Sequence, residues 1–224
     1  MDKAREYVRG LARRYVDEGD ALGWFEELYA QADGDASVIP WADMEPNPNL
    51  IGWLQRQRID GTGKRALVIG CGLGDDAEAL ADAGFEVVAF DIASTAIAWC
   101  RQRFGRSAVD YCVADLFCPP RDWRRRFDFV FEAYTLQVMP ADIRRRAMSA
   151  LAEFVARTGR LLVVARGRDD GDDADGPPWP VTKAELDQFV ALGLTCESFE
   201  DYMDDETPRV RRFRAAYRAG ATMP

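Results

Sequence analysis

A chain of 224 residues, 48% apolar and 30% charged, is long enough to bury one proper core with room for an appended lid. Its net charge of −9 opposes a nucleic-acid substrate, and the absence of histidine removes the usual zinc sites and the Ser-His-Asp triad. No apolar run is long enough to span a bilayer and the first residues form no signal peptide, so a cytoplasmic protein without membrane contacts is expected. The five cysteines (Cys71, Cys100, Cys112, Cys118, Cys196) show no metal-ligand spacing, and the first three read as reduced core thiols. Metal-free chemistry follows.

In chain order, residues 1–60 read as a helical prelude, with amphipathic helices over 4–17, 21–31 and 50–58. Pro40, Pro46 and Pro48 exclude helix between the last two and leave an extended segment carrying Trp41. Residues 61–224 read as the main body. A buried strand at 67–69 runs into Gly70-Cys71-Gly72-Leu73-Gly74-Asp75-Asp76, and a helix follows to the cap at Gly84. A second strand, 85–90, ends in Asp91, and a helix over 94–103 leads to a third strand, 109–114, ending in Asp115-Leu116-Phe117. Strand 127–131, helix 141–157 and strand 160–165 complete the alternation. After an acidic loop (167–180, with a solvated-linker reading for 169–175), Thr182 and Glu185 form a capping box for a helix to 192. Strands at 194–202 and 210–219 make an antiparallel pair. The basic clusters 124–126 and 144–146 read as solvated faces.

Alternating strands and helices imply a mainly parallel sheet covered on both sides, and the closing antiparallel pair distinguishes it from a plain dinucleotide fold. The fold class expected is therefore α/β, a Rossmann-like class I methyltransferase sheet with an N-terminal helical segment. Ligands of such sheets bind at the carboxyl ends of the strands. The loop spacing is GxGxG, where pyrophosphate cradles use GxGxxG, and Asp75 and Asp76 would oppose a phosphate. A zwitterionic sulfonium, S-adenosyl-L-methionine (SAM), suits it better than NAD. Asp91, about twenty residues on, is placed to accept the ribose hydroxyls, or to cap the next helix. Asp115 is placed to read the adenine amine, or to satisfy loop amides.

The chain resembles the thiopurine S-methyltransferase family, and within it the small thiol and halide methyltransferases. The match runs through Trp24-Phe25 and Pro40-Trp41, the glycine loop, Phe90-Asp91-Ile92, Asp115-Leu116-Phe117, Phe127–Phe131, and Gly176-Pro177-Pro178-Trp179-Pro180-Val181. The resemblance implies that Trp24 and Trp41 fold over the cofactor. Gly70, Cys71, Gly72 and Gly74 would take its methionine part, Asp91 and Ile92 the ribose, and Asp115 and Leu116 the adenine. Glu132 and Tyr134 would lie by the transferable methyl group, with Arg166, Pro177 and Trp179 bordering the acceptor. Aromatic faces suit a sulfonium, so Phe117 and Tyr134 are further candidate walls. Thiol and halide members tend to carry an aspartate followed by aromatics after the fourth strand. This chain has Glu132, Ala133, Tyr134 and Thr135 there, so the acceptor stays open.

Methyl transfer from a sulfonium is an in-line displacement that mainly needs positioning and exclusion of water. Without histidine, a soft or pre-ionised acceptor is favoured: a thiolate, a halide or an acidic heterocycle. The alternative is N- or O-methylation of a small heterocycle with Glu132 or Tyr134 as base. Lesser rivals are a non-catalytic SAM-binding protein and a nicotinamide oxidoreductase. The expected product is S-adenosyl-L-homocysteine, and the expected assembly a monomer or weak homodimer.

Overall fold

Short apolar runs bounded by glycine and acids become the interior strands. The computed structural model describes residues 2–174 and 176–220, without the side chains of residues 2–5. Asp175 of the acidic loop, Met1 and the last four residues of the expected main body lie outside the described residues. The strands form a seven-stranded sheet in the order β3-β2-β1-β4-β5-β7-β6. The chain divides into two compact units, residues 1–115 and 116–224.

The first unit begins with the prelude helices α1 (Asp2–Asp17), α2 (Trp24–Ala32) and α3 (Pro48–Gln57). Helix α2 starts three residues later than the pattern suggests. The Asp20 carboxylate accepts from the Leu22 and Gly23 amides (3.3 and 2.9 Å) and holds residues 20–23 in a turn. Strands β1 (Arg65–Ile69), β2 (Glu86–Asp91) and β3 (Asp110–Val113) pair in parallel, with α4 (Asp75–Asp82) and α5 (Ser94–Arg103) as crossovers. Ala66 to Ile69 are at most 2% exposed, as a strand covered on both faces requires.

The second unit carries β4 (Phe127–Ala133), α6 (Ala141–Phe154), β5 (Val155–Arg166), the short helices α7 (Lys183–Leu186) and α8 (Gln188–Ala191), β6 (Leu194–Met203) and β7 (Arg211–Ala219). β4 and β5 are parallel, and β7 runs antiparallel to both β5 and β6. Helix α6 stops at Phe154, short of the expected 157, because β-branched Val155 turns extended and pairs with Phe127. The register then slips before Arg160, and Gly159 fills the irregularity, since a Cβ there would stand 2.7 Å from the Phe127 carbonyl. The expected helix to 192 is broken at Asp187 into α7 and α8, but its capping box between Thr182 and Glu185 is present.

Two sequence readings need correction. Arg144 is not on a solvated face: it is 3% exposed, and its guanidinium donates to Glu185 at 2.7 Å. A cation that deep needs a partner. Of the three thiols read as core, only Cys100 is fully buried, Cys71 and Cys112 being half-buried. The edge strand β6 keeps its charges in cross-strand pairs with β5 and β7, among them Glu197 with Arg160 and Asp201 with Arg211 (2.7 Å each). Such charges discourage further strand addition. Among the described residues no helix is long and apolar enough to cross a membrane.

Because Glu185 both closes the capping box and neutralises Arg144, Glu185→Ala should destabilise the protein by about 2–4 kcal/mol. Urea unfolding measures this, and a change below about 1 kcal/mol would show that Arg144 finds its counter-charge elsewhere.

Candidate active site

In the first unit the chain leaves β1 through Gly70, Gly72 and Gly74, all at positive φ (58°, 53° and 94°). Side chains are excluded at the last two. A Cβ on Gly74 would lie 2.6 Å from the Tyr111 hydroxyl, and one on Gly72 would lie 3.3 Å from the Tyr29 hydroxyl. The Cys71 amide bonds to the Phe90 carbonyl (2.9 Å), and the Cys100 thiol donates to the Gly72 carbonyl (3.2 Å).

Asp91 at the tip of β2 does two jobs at once. One oxygen accepts from the Gly72 amide (3.0 Å) and the other from the Ala93 amide (2.9 Å). It thus braces the glycine loop and the start of α5 together. The carboxyl is 6% exposed, and burial, only partly offset by those amides, pushes it up to about 6. Ile92 beside it is half-buried. The Ala114 amide donates to the Asp91 carbonyl (3.1 Å), which brings the exposed Asp115 to the neighbouring strand tip.

The acids at the start of α4 are engaged rather than open. Asp75 takes a two-pronged bond from Arg103 (2.8 Å each), and Asp76 accepts from the Asn47 amide at 2.6 Å. Burial, the largest influence, pushes Asp76 up to about 6. The repulsion of a phosphate read from these two residues is therefore weaker than their spacing suggests.

The prelude reaches this loop through its polar groups. Glu26 accepts from the Thr95 amide (3.1 Å) and the Ser94 hydroxyl (3.2 Å), capping α5, whose own N-cap, Ala93, offers no side chain. Burial raises the Glu26 carboxyl, but these hydrogen bonds bring it below its ordinary value. Trp24 is 1% exposed, stacked on Phe25 at 3.8 Å, with its indole N–H on the Ala21 carbonyl. These contacts pack it against its own prelude neighbours. Trp41 is half-buried and donates its indole N–H to the Tyr29 hydroxyl (3.0 Å). Sequence reasoning missed Tyr29, which appears only as one more aromatic on the apolar stripe of α2.

In the second unit Leu116 is buried and Phe117 half-buried, with the Arg146 guanidinium 4.7 Å from the Phe117 ring. Glu132, at the end of β4, is fully buried. Its Oε1 accepts from the Thr135 and Leu136 amides (2.6 and 2.9 Å), while Oε2 has no hydrogen-bond partner. Burial pushes this carboxyl up to about 7.

Tyr134 sits in the left-handed region (φ 66°), where its amide reaches the Val164 carbonyl (2.9 Å). Its ring lies 4.7 Å from the guanidinium of Arg212, which is 3% exposed and bonded to Asp204 (2.7 Å) and Glu206. Gln137, also missed from sequence, joins the remaining candidates. Its side-chain oxygen accepts from the Arg166 amide (2.7 Å), and its carbonyl accepts from the Trp179 amide (2.6 Å). Arg144 donates to the Trp179 carbonyl (3.2 Å), which ties the half-buried Trp179 to α6, while Pro177 is buried. Gln137 thus ties the backbones of Arg166 and Trp179 together.

Among the described residues no group of three or more histidine, cysteine, aspartate or glutamate side chains could hold a metal ion. The first unit fits an adenosyl sulfonium: a loop with glycine at every second position, a buried carboxylate with lone pairs to spare, and aromatic faces in the prelude. This sheet order, with a glycine loop after β1 and an acid closing β2, is that of a class I SAM-dependent methyltransferase.

Comparison with known proteins agrees. A family model described as Thiopurine S-methyltransferase matches residues 31–221. A probable thiol methyltransferase 2 of Arabidopsis thaliana is 24% identical over 200 residues, covering 86% of this chain and 82% of that one. Thiocyanate methyltransferase 1 of the same plant is 25% identical over 203 residues, covering 88% and 82%. The solved structure of a Burkholderia thailandensis 1,6-didemethyltoxoflavin N1-methyltransferase with bound S-adenosylhomocysteine superposes with a TM-score of 0.67. It is 16% identical, covers 88% of this chain and 87% of its own, and so shares the fold. The chain belongs to the thiopurine S-methyltransferase family.

Three buried carboxyls raised above their ordinary range set a sign for stability. Each favours the fold fully while protonated in the unfolded chain as well, below about pH 4, and that contribution is lost as pH climbs through 6 to 7. The ligand-free protein should therefore lose stability between about pH 4 and 7. Glu132→Gln keeps the acceptor for the Thr135 and Leu136 amides and should remove roughly 2–3 kcal/mol of that decline. Urea midpoints across this range would show it, and an unchanged slope would mean Glu132 does not titrate there.

Proposed function

We propose that the protein methylates a small soft nucleophile, most readily a thiol. SAM is held by Gly70, Cys71, Gly72, Gly74, Asp91, Ile92, Asp115, Leu116 and Trp41, with residues 1–60 acting as the cover of the cofactor half. When bound, SAM supplies an electrophilic methyl group on a sulfonium. Phe117 and Tyr134 offer aromatic faces, and Glu132, Tyr134, Arg166, Pro177 and Trp179 form the acceptor side. The observation that carries the cofactor reading is the Asp91 brace beside the glycine-rich loop: an acid already shaping the cradle still has acceptor capacity for two ribose hydroxyls.

The thiol reading draws on the similarity to thiol and thiocyanate methyltransferases and on the chemistry available. A thiol near its solution pKa of about 8.5 is a few per cent thiolate at neutral pH and needs no strong base. Glu132, poised near 7 with Oε2 uncommitted, takes the proton from the remaining thiol. The protein works as a cytoplasmic monomer or weak homodimer on this reading.

Release of S-adenosylhomocysteine from SAM offered with small thiols, iodide, amines and phenols tests the acceptor. Thiols and iodide should turn over, and turnover confined to amines or hydroxyls would replace this reading with heterocycle methylation. Glu132→Gln should slow thiol methylation at least tenfold at pH 6.5 and leave iodide, which carries no proton, within about twofold. Separately, Asp91→Asn should weaken SAM binding at least tenfold by calorimetry. Undiminished affinity would remove Asp91 from the cofactor site.

A further inference from the structure

We propose that Arg144 is the positioning residue for Glu132, holding the carboxyl in place and setting its charge state from the far end of one turn. The inference deepens the reading of Glu132 as the base of the acceptor side and rests on it. The single helical turn Leu136–Val138 lies between the two groups. Glu132 Oε1 accepts from the Thr135 and Leu136 amides at its start (2.6 and 2.9 Å), and Arg144 Nη2 donates to the Met139 carbonyl at its end (3.2 Å). Such a turn rises about 2 Å per residue, so the two anchor points lie roughly 6–8 Å apart. Both side chains are buried, Glu132 completely and Arg144 to 3% exposure. Each also keeps one atom without a hydrogen-bond partner, Oε2 on Glu132 and Nε on Arg144.

In so dry a setting a charge acts over several ångströms with little screening. The neighbour of Glu132 across β5 is the apolar Val163, and among the described groups Arg144 is the only charge that acts on it through space. Burial favours the neutral carboxyl, and the Arg144 guanidinium draws it back toward the ionised form. A guanidinium stays charged at any working pH, so what varies is how much of that charge reaches Glu132. Glu185, on α7, competes for it. One Glu185 oxygen takes Arg144 Nη1 at 2.7 Å, while the other lies 3.6 Å from Arg168. Two carboxylates thus share one buried cation, and the balance between them decides whether Glu132 can accept a proton near neutrality.

Two substitutions in the full-length protein separate charge from structure. Arg144→Met removes the cation and should raise the pH at which Glu132 ionises by about half a pH unit or more. Glu185→Gln keeps the capping box, which glutamine also serves, but leaves Arg144 to Glu132 alone and should lower that pH by a similar amount. Urea midpoints from about pH 4 to 9, taken as the difference between each protein and its own Glu132→Gln double variant, read the ionisation without reference to activity. Thiol methylation over the same range, divided by the rate with iodide, reads it in turnover. Opposite shifts in the urea measurement support the assignment, and the Glu185→Gln shift decides alone if Arg144→Met does not fold. Shifts in one direction, or none, overturn it. Opposite urea shifts that the thiol-to-iodide ratio does not follow would keep Arg144 as the positioning residue and remove Glu132 as the base.

Discussion

The constraint on which the first unit depends is a single buried carboxylate shared between two backbone amides. Asp91 ties the middle glycine of the loop after β1 to the first turn after β2. The tips of the neighbouring strands β1 and β2 are thereby tied to one another. Burial makes the ionised form expensive, and two amides only partly compensate.

The prelude belongs to the same arrangement. Glu26 caps α5, the Asn47 amide sits on Asp76, and Trp41 reaches Tyr29, so three separate parts of the first sixty residues are tied at the cradle. Each tie joins an element of the prelude to a group that would otherwise be an orphan: an uncapped helix start, a buried acid, a buried phenol. Removing the prelude would expose apolar surface and also unbalance those polar groups.

What was legible in the sequence was local. The apolar runs that became β1, β2 and β4 announce themselves through length and flanking glycines or acids, and the Thr182–Glu185 box is a four-residue signal. Asp91 could be placed at a strand tip, but its two simultaneous partners, Gly72 nineteen residues before it and Ala93 two residues after it, are not resolved by spacing alone. Arg144 looked solvated because its triplet neighbours are, and only the fold brings Glu185, forty-one residues on, to meet it. Tyr29 and Gln137 were illegible for the same reason. The end of α6 was misjudged because pairing of Val155 with Phe127 overrides the helix propensity of Ala156 and Arg157.

The second unit fastens the segment around Trp179 at several backbone groups. Gln137 bonds both the Arg166 and the Trp179 backbone, Arg144 holds the Trp179 carbonyl, and the Arg168 side chain holds the Pro180 carbonyl at 2.9 Å. A segment fastened at successive carbonyls and amides has little freedom left to close over a ligand, so its side chains present a preformed surface. Tyr134 fits the same logic. A left-handed non-glycine residue costs on the order of 1 kcal/mol or more and persists only where its surroundings over-determine it. Here the Val164 carbonyl fixes its backbone and the buried Arg212 covers its ring. The ring direction is thereby set by the fold, and at this strand end the buried Glu132 keeps one oxygen without a hydrogen-bond partner.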